Sequence, residues 1–572
     1  MNDRIEEALR RGTSFLMAQS HSAGCFEGEL SSSTFPTCAY AWVQIALGKF
    51  LDSDLVEWLV HNQHQDGTWS LDVSNQPNRG ATLFAKLILQ QVVKRQPTPQ
   101  VETALARIPD YPHDLALVKL AYAAFEQSEW TKLTISKNML PVLAIAQKVS
   151  ALFPRLRAIL KPPTNVLPPV DLFTTPMFQK LFIAEQHTLA AVFLMIELNT
   201  KKRVEIIDCL FDWLKAHMLS DGSWFRVNYI TALSNLALIE LRKKGSRKGS
   251  ELDRMIDESL SWLVRTRNSD GGCREALNLN VWDTALSTIS VIDINGSEGA
   301  EDVRPAGRWL VQNQNADGGW AFSGLPGSYL LSDADDTALA LFALLKLRMA
   351  DSNTAIHRGL QWLRAHQRRD GSWSTYIPGQ GDVGCVSITS HAIEALIEAG
   401  GFDTEINRAC RWLKRQISPD GYWSDLWLAK NTYGTANAIT ALIQTGERDS
   451  HEVHRGVQWL ESAQNRDGGW GEDMFGNRTE STVEQTAWSA GTLLLVNPQN
   501  ESGWKGIKYL LDNQRFDGSW NASCVGIYWE IIGGYADPIN ASVFPLRALY
   551  QAKCAMEISR STSLFFESSE TT

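Results

Sequence analysis

Residues 309–320 read WLVQNQNADGGW, and this stretch decides the fold because its pattern recurs along most of the chain. Its closing element, Asp-Gly-x-Trp, occurs at residues 66–69, 221–224, 317–320, 370–373, 420–423, 467–470 and 517–520, and residues 270–273 keep Asp-Gly without the tryptophan. From Asp221 onward, successive aspartates of this series are 47 to 53 residues apart. A period of about 50 residues predicts a repeat architecture, in which each unit packs against its neighbours.

Each repeat carries two further markers, an aromatic residue eight positions before the aspartate and, often, a glutamine three positions before it. The aromatic residues are Trp58, Trp213, Trp262, Trp309, Trp362, Trp412, Trp459 and Tyr509. The aromatic-Leu pair is typical of a helix end, and Asp-Gly favours the turn that stops the helix. The glutamine amide can bond to the next helix terminus. We therefore predict that the repeats hold the fold together, and that their closing tryptophans lie outside any substrate cavity.

Apolar helical segments such as residues 337–345 and 391–397 separate the turns, whereas strand-like alternation and Asn-Gly hairpins are nearly absent. The predicted fold class is all-α. Two helices per 50 residues, over 572 residues, give about a dozen helical pairs. An open solenoid and a closed toroid both fit this period.

Composition excludes several classes of function. The balance of 54 Lys+Arg against 64 Asp+Glu gives a net charge of −10, which disfavours nucleic-acid partners. The eight cysteines stand singly, without a CxxC zinc or redox pair. The longest apolar run, residues 189–196, is far below the roughly 18 residues of a membrane span, and the N-terminus lacks the apolar core of a secretory signal.

We expect a cytoplasmic protein, with peripheral membrane contact left open by one segment. The basic apolar stretch 142–161, followed by a proline-rich run, is either an eroded repeat, which we favour, or a helix resting on lipid headgroups. The sequence leaves the oligomeric state open.

One site is dense in carboxylates: Ser332-Asp333-Ala334-Asp335-Asp336-Thr337 directly precedes an apolar helix. Helix capping explains one of these acids, because Ser and Asp favour the first turn. Three crowded carboxylates also raise one another's pKa, so that one can stay protonated at neutral pH and serve as an acid. Both interpretations, capping and acid catalysis, remain open on the pattern alone.

The sequence resembles the class II terpene cyclases of the squalene–hopene cyclase superfamily. Their DxDD motif matches residues 333–336, and their QW motifs match the Asp-Gly-x-Trp series. Further matches are residues 281–284 (VWDT), 318–322 (GGWAF), 433–435 (YGT) and 481–488 (STVEQTAW). No DDxxD motif of class I cyclases is present. The resemblance implies an isomerase with two α-barrels of paired inner and outer helices, (α/α)6 in type. One barrel, bearing DxDD, would comprise residues 1–18 plus 262–572, and the inserted barrel residues 19–261.

The resemblance also implies roles for the acidic site. Asp335, the middle acid, would protonate a terminal alkene, with Asp333 and Asp336 setting its protonation and geometry. His391 matches the histidine that hydrogen-bonds this acid. Many family members have an aspartate where this chain has Ser387, which leaves the charge of His391 open.

Carbocations are stabilised by aromatic faces, which carry no lone pair that traps them easily. The resemblance assigns this substrate-binding role to Trp282, Phe322, Trp427, Tyr433, Trp488 and Trp529. Each of these side chains fits a purely structural role equally well.

The predicted substrate is a linear isoprenoid diphosphate, farnesyl or geranylgeranyl diphosphate, closed to a drimane- or labdane-type bicyclic diphosphate, as in drimenyl or copalyl diphosphate synthases. Squalene–hopene cyclases carry a C-terminal aromatic ladder whose positions fall here on Gly533, Asp537 and Asn540, so late ring cations would lack aromatic faces. A diphosphate implies basic residues, for which Arg226 is a candidate, and Mg²⁺, whose ligands the sequence does not identify. The alternative is a squalene–hopene-type cyclase of an uncharged polyprene.

Two other classes of protein fit the helical repeats less well. Protein prenyltransferase β-subunits are also helical barrels, but they need an Asp, Cys and His zinc site, and no cysteine stands at ligand spacing from His61 and His64 or from His451 and His454. A non-catalytic toroidal scaffold leaves the Asp333–Asp336 cluster without a purpose.

Overall fold

The computed structural model describes residues 1–569 except 75, 110, 112–114, 143–165, 248, 277, 325–329, 377–382 and 528–532, and describes residues 560–569 as helix only. The basic apolar stretch predicted over 142–161 therefore lies, apart from Val142, outside the described residues, as does the predicted site residue Trp529.

The predicted all-α class is confirmed, since helices make up most of the described chain. They are α1 (Asn2–Ala18), α2 (Thr34–Ala46), α3 (Ser53–His61), α4 (Arg79–Arg95), α5 (Pro99–Ala106), α6 (Ala116–Glu126), α7 (Ile183–Asn199), α8 (Val204–His217), α9 (Asn228–Lys243), α10 (Ser250–Arg265), α11 (Asn280–Asp302), α12 (Arg304–Gln312), α13 (Ala334–Leu347), α14 (Asn353–Ala365), α15 (Val386–Ala399), α16 (Asp403–Gln416), α17 (Lys430–Gln444), α18 (His451–Ala463), α19 (Val483–Val496), α20 (Glu501–Asp512) and α21 (Asn540–Ser569).

Strands are few and short within the same residues. They form three antiparallel pairs: β1 (Trp69–Ser70) with β2 (Pro77–Asn78), β3 (Trp470–Glu472) with β4 (Arg478–Thr482), and β5 (Cys524–Ile527) with β6 (Gly534–Ala536). Each pair lies in a connection between helices. Short 3₁₀ turns occur at Trp130–Lys132, Lys137–Met139, Val170–Thr174, Phe178–Lys180 and Ala350–Ser352.

The C-terminal helices close into a barrel, which answers the choice between solenoid and toroid. Its inner helices α11, α13, α15, α17, α19 and α21 each contact the next, and α21 returns to contact α11. The outer helices α12, α14, α16, α18 and α20 pack outside them, and the N-terminal helix α1 fills the last outer position, against α21 and α20. The described ring is thus of the (α/α)6 type, and its last outer helix comes from the N-terminal end of the chain.

A second barrel is built from residues between α1 and α11. Its described inner helices are α2, α4, α6, α7 and α9, with α9 packed on α2, and its outer helices are α3, α5, α8 and α10. Buried apolar side chains form one core of residues 5–26 and 281–555, and another of residues 35–276 with Ala321, Leu330 and Tyr376. The limits 1–18 plus 262–572 and 19–261 stay a prediction.

Hydrogen bonds explain why the repeat motif recurs. In the repeat that ends at Trp320, the indole N–H donates to the carbonyl of Leu310 at 2.7 Å, and the backbone N–H donates to Thr337 Oγ1 at 2.9 Å. The same indole bond, to the leucine ten residues earlier, is made by Trp69, Trp224, Trp373, Trp423, Trp470 and Trp520. Each tryptophan thereby ties an outer helix to the loop that enters the next inner helix.

The Asp, Gly and Gln of the motif link neighbouring repeats. Asp317 Oδ2 accepts from the Trp362 indole N–H at 3.0 Å, and Gln314 Nε2 donates at 2.8 Å both to Gly318 and to Ala355, in the first turn of α14. Gly318 has a φ of +99°, and a Cβ there would lie 3.0 Å from the Arg358 carbonyl oxygen, so only glycine fits. The prediction that the glutamine bonds to the next helix is confirmed.

The repeat tryptophans lie between the inner and outer helices, as predicted. Trp320 and Trp373 are fully buried, and the Trp320 ring lies close to Gly359 on outer helix α14. Their indole nitrogens are occupied by the outer-helix carbonyls of Leu310 and Leu363. These side chains therefore help to hold the inner and outer helices together.

Candidate active site

The acidic segment lies at the start of inner helix α13, where the repeat turn delivers it. Asp333 is the N-cap residue, and its Oδ1 accepts from the Asp336 N–H at 2.8 Å. The Asp333 N–H donates to the Trp320 carbonyl at 2.8 Å, and the Ala334 N–H donates to the Thr375 carbonyl at 2.9 Å. Helix capping thus explains the presence of Asp333, but it does not explain the presence of Asp335 and Asp336.

Burial dominates the electrostatics of this segment. The side chains of Asp333, Asp335 and Asp336 all lie in residues that are at most 8% exposed. Burial raises the pKa of Asp333 to about 8 although the Asp336 N–H opposes the shift, and burial together with the neighbouring carboxylates holds the pKa of Asp336 well above its ordinary value. Among the described residues, Asp336 Oδ1 has no hydrogen-bond partner. Asp333 and Asp336 therefore hold their protons more tightly than exposed carboxyls do.

His391 comes from α15, the next inner helix, and reaches the middle acid. Its Nδ1 lies 2.6 Å from Asp335 Oδ1, and its side chain is buried. Burial works to lower the pKa of His391, but the Asp335 carboxylate and its hydrogen bond outweigh that effect and raise the pKa above its ordinary value. The sequence-predicted pair of Asp335 and His391 is thus brought together by two adjacent inner helices.

Asn437 on α17 is a site residue that the sequence analysis missed. Its Oδ1 lies 3.1 Å from His391 Nε2, and its Nδ2 donates to the Tyr433 carbonyl at 3.0 Å. The available signal was its position four residues after Tyr433, which places both on one face of a helix. An isolated asparagine in a helix carries too little information to single out.

Aromatic rings continue from the acid along the inner helices. Ring centroids are 6.0 Å apart for Trp282 and His391, 6.4 Å for His391 and Tyr433, 4.6 Å for Tyr433 and Trp488, and 5.2 Å for Trp488 and Phe544. The structure thus places the predicted site residues Trp282 and Tyr433 beside His391, and Trp488 beside Tyr433. Phe544 joins them, although the sequence analysis did not single it out.

Two other predicted aromatic residues, Phe322 and Trp427, have different contacts. Phe322 packs on the core of the second barrel, 6.0 Å from Phe225 between ring centroids. Trp427 donates its indole N–H to Thr375 Oγ1 at 2.9 Å, and its carbonyl accepts from the Ile527 N–H at 2.8 Å. Neither shares a ring contact with His391 among the described residues.

A second pair of buried carboxyls lies near the acidic segment. Asp283, next to Trp282, accepts from the Gly28 N–H at 2.9 Å, and Asp537 accepts from the Ile539 N–H at 2.8 Å. Burial and the Asp537 charge hold the pKa of Asp283 well above its ordinary value, and burial raises that of Asp537 to about 6. Asp537 therefore turns toward Asp283, at the acid end of the barrel.

The sequence offers Arg226 for a diphosphate and leaves the Mg²⁺ ligands unidentified. Over the described ranges, no group of three or more His, Cys, Asp or Glu side chains could hold a metal ion. Arg226 is buried and already engaged: Nη1 donates to Ser323 Oγ at 2.7 Å and to the Gly324 carbonyl at 2.8 Å. Its Nε lies 3.3 Å from Asp221 Oδ2.

Membrane contact was the other open question. Of the helices that the structure describes, none combines the length and the hydropathy that a transmembrane span requires.

Comparisons with known proteins cover both barrels. The family model of the squalene-hopene cyclase C-terminal domain matches residues 278–553, and that of the prenyltransferase alpha-alpha toroid domain matches residues 184–324. The chain is 26% identical to the squalene–hopene cyclase of Alicyclobacillus acidocaldarius over 634 residues, which cover 96% of this chain and 98% of that protein. With the squalene–hopene cyclase of Bradyrhizobium diazoefficiens, it is 26% identical over 289 residues, only 42% of this chain and 43% of that protein.

A solved structure supports the same fold. The ent-copalyl diphosphate synthase from Streptomyces platensis aligns with a TM-score of 0.57 and 20% sequence identity, covering 96% of this chain and 99% of that one. At this identity the likeness concerns the double-barrel fold alone. The family models and the relatives that span nearly the whole chain lead to one assignment: the chain is a class II terpene cyclase, and enzymes of this class are isomerases.

Proposed function

We propose that the protein protonates the terminal alkene of farnesyl or geranylgeranyl diphosphate and cyclises it to a drimane- or labdane-type bicyclic diphosphate. The observation that carries the acid chemistry is the buried contact of 2.6 Å between Asp335 and His391. An alkene is a very weak base, so its protonation requires a neutral, polarised carboxylic acid away from water. Two features support such an acid: the acidic segment is buried, and His391 has a hydrogen-bond contact at each of its two ring nitrogens.

The proposed reaction conserves all atoms. The Asp335 O–H bond breaks, a C–H bond forms at the terminal alkene, and the resulting tertiary cation is attacked by the next alkene's π electrons. That attack closes the first ring, a second alkene closes the second ring in the same way, and a C–H bond adjacent to the final cation loses its proton to a base. Asp335 is left as a carboxylate beside the His391 imidazolium, an ion pair that lowers the cost of the first step. Asp335 then regains a proton before the next turnover.

The aromatic group supports the cationic steps. The rings of Trp282, Tyr433 and Trp488 are nearly fully buried; the first two adjoin His391, and Trp488 adjoins Tyr433. Their quadrupoles attract a cation over the ring face, and the interaction strengthens where water is excluded. These rings would lie beside the first cations that form.

The C-terminal segment supports a shorter substrate. The ladder positions Gly533, Asp537 and Asn540 present no aromatic ring, and Asn540 Oδ1 is taken by the Trp282 indole N–H at 2.9 Å. A chain that stops after two rings needs fewer aromatic faces than squalene.

Mg²⁺ is part of the proposal only as a companion of the diphosphate. Mg²⁺ in proteins is often held by one or two carboxylates together with substrate phosphates. Because the described residues offer no site of three acidic, His or Cys ligands, no step is assigned to the metal ion. Arg226 is engaged by Ser323, Gly324 and Asp221, which argues against it as the free diphosphate ligand.

The second candidate is cyclisation of squalene or another uncharged polyprene. It is favoured by the relatives named squalene–hopene cyclase that span nearly the whole chain. A membrane-bound substrate would also give residues 142–161 a role at the lipid surface.

The deciding experiment offers purified protein farnesyl diphosphate, geranylgeranyl diphosphate and squalene, each with and without a chelator, and identifies products by mass spectrometry after dephosphorylation where needed. We expect a bicyclic product from a diphosphate, with lower turnover when the chelator is present. Asp335→Asn, which preserves shape and removes the acidic proton, is the control for spontaneous cyclisation. Cyclisation of squalene alone, unaffected by chelator, would reject the diphosphate proposal and leave the acid mechanism standing.

A further inference from the structure

Asn437 is the residue at the acid site with the least obvious purpose. It is a neutral side chain on α17, half-buried, and it touches the histidine on the side away from Asp335. Its orientation is determined by chemistry, because only the amide –NH₂ can donate to the Tyr433 carbonyl, 3.0 Å away. The amide oxygen must then be the atom 3.1 Å from His391 Nε2. His391 is thus flanked by an oxygen acceptor at each ring nitrogen.

Two flanking acceptors select one protonation state of an imidazole. A neutral ring carries one N–H, so one of its two acceptor contacts would face a lone pair, whereas an imidazolium donates at both positions. We propose that Asn437 is a positioning residue that stabilises His391 as the doubly protonated imidazolium and fixes its ring plane toward Asp335. This inference rests on the proposed acid role of Asp335.

The state of the ring decides where the acidic proton of Asp335 can lie. A neutral His391 with a bare Nδ1 would accept a hydrogen bond from Asp335 Oδ1, 2.6 Å away, and draw the proton toward itself. An imidazolium donates to that same oxygen, so the proton of a neutral Asp335 must lie on its other oxygen. Asn437 would therefore determine, through the ring, which oxygen presents the proton.

Charged neighbours alone do not account for this arrangement. The titratable or charged groups around His391 are Asp335 from α13, Glu394 on its own helix, Tyr433 from α17 and Arg547 from α21. Glu394 acts at a distance, since its Oε1 accepts from Gln444 at 3.0 Å, and the Tyr433 hydroxyl is 3.5 Å from Nε2, at the outer limit of a hydrogen bond. Asn437 supplies the shorter contact to Nε2, and it does so without adding charge.

The test measures the protonation of His391 directly. Histidine-labelled protein is titrated by NMR as wild type, Asn437→Leu and Asn437→Asp, with the His391 signal assigned from its loss in His391→Ala. We expect Asn437→Leu to move the His391 titration about one pH unit lower, which means about tenfold less imidazolium above both midpoints. Asn437→Asp keeps an acceptor and adds a negative charge, so it should move the titration upward.

The chain offers a matched control. Asn199 on α7 makes the same bond to the carbonyl four residues earlier, Met195, at 2.9 Å, in the other barrel and with no histidine contact among the described residues. Asn199→Leu should leave the His391 titration in place. If Asn437→Leu does not fold, as judged by circular dichroism, Asn437→Ser removes the same oxygen with a smaller side chain.

Turnover adds a second readout. The high-pH limb of the activity profile should move down with the His391 titration in Asn437→Leu, with kcat reduced and KM little changed. An unshifted His391 titration in Asn437→Leu would overturn the inference. A shifted titration in a protein that cyclises no isoprenoid would reject the proposed function and leave the role of Asn437 at His391 intact.

Discussion

Two repeats of the C-terminal barrel share a frame and differ in their chemistry: the repeat that leads into α13 and the repeat that leads into α19. In each, the repeat tryptophan donates its indole N–H to a leucine carbonyl at 2.7 Å and its backbone N–H to the threonine hydroxyl of the inner helix, Thr337 or Thr486. Two residues before that threonine, one repeat has Asp335 and the other has Glu484.

The partners of these two acids differ. Asp335 contacts His391, whereas Glu484 Oε1 accepts from the Ser523 N–H at 2.9 Å. The next position holds Asp336 in one repeat and Gln485 in the other, and Gln485 is fully occupied by the backbone of Glu472. Of these two buried acids, Asp335 contacts a histidine on the adjacent inner helix and Glu484 contacts a backbone N–H. Under the proposed mechanism, we expect this histidine to distinguish the two repeats.

The largest expected effect is that of removing the acidic proton. Asp335→Asn should abolish cyclisation while the fold stays intact, because the amide keeps the shape of the carboxyl and cannot protonate an alkene. Glu484→Gln is the matched variant of the other repeat, and it should retain most of its turnover. Product formation by mass spectrometry and the melting temperature of each variant check both statements. Near-normal turnover by folded Asp335→Asn would break the comparison.

His391→Ala should lower kcat by about 10²–10⁴-fold, as is typical for loss of a supporting acid–base group. The physical reason is the loss of the contact of 2.6 Å that stabilises the conjugate base of Asp335. Single-turnover rates with the accepted substrate would measure it. An effect no larger than that of Glu484→Gln would show that the histidine does not distinguish the two repeats.

The pH dependence of stability should reveal the buried Glu484 of the second repeat. Burial raises the pKa of Glu484 to about 7 in the folded protein, so the folded state keeps a proton that the unfolded chain releases above roughly pH 4.5. The contribution of Glu484 to the free energy of unfolding therefore falls as pH rises from about 4.5 to about 7, by up to about 3 kcal/mol. Above pH 7 this contribution no longer changes.

Glu484→Gln should flatten this slope in urea titrations at a series of pH values. Asp333→Asn should flatten the dependence of stability on pH over a wider range, up to about pH 8, because burial raises the pKa of Asp333 to about 8. Stability that rises over pH 5–7 in the wild type, with no change in Glu484→Gln, would contradict the assignment.

The smallest effect should be common to both repeats. Trp320→Phe and Trp470→Phe each remove one indole N–H from a leucine carbonyl and leave that buried acceptor unpaired, at a cost of about 1–3 kcal/mol. The free energy of unfolding should fall by a similar amount in the two variants. Trp470→Phe should keep its kcat, since the hydrogen bonds of Trp470 go to Leu460 and Thr486 and not to Asp335 or His391. Unequal losses would mean that the two repeats do not share one frame.

The same contrast explains how far the sequence could be interpreted. The Asp-Gly-x-Trp series predicted the helical repeats because turns and helical spacing depend on residues that are close in the chain. The motif also recurs often enough to be recognised without tertiary information. Asp333–Asp336 stood out because three acids crowd four residues. Asn437 gave no such signal, because its role depends on a histidine 46 residues away.

What the sequence determined by itself was the all-α repeat fold, the acidic segment and, through resemblance, the pairing of Asp335 with His391. Tertiary structure alone decided the rest. It brought Asn437 to the second ring nitrogen of His391, added Phe544 to the aromatic group, and turned Asp537 toward Asp283. The reason is physical: turns and helices depend on neighbours in the chain, whereas a protonation state depends on which side chains from other helices share its buried volume.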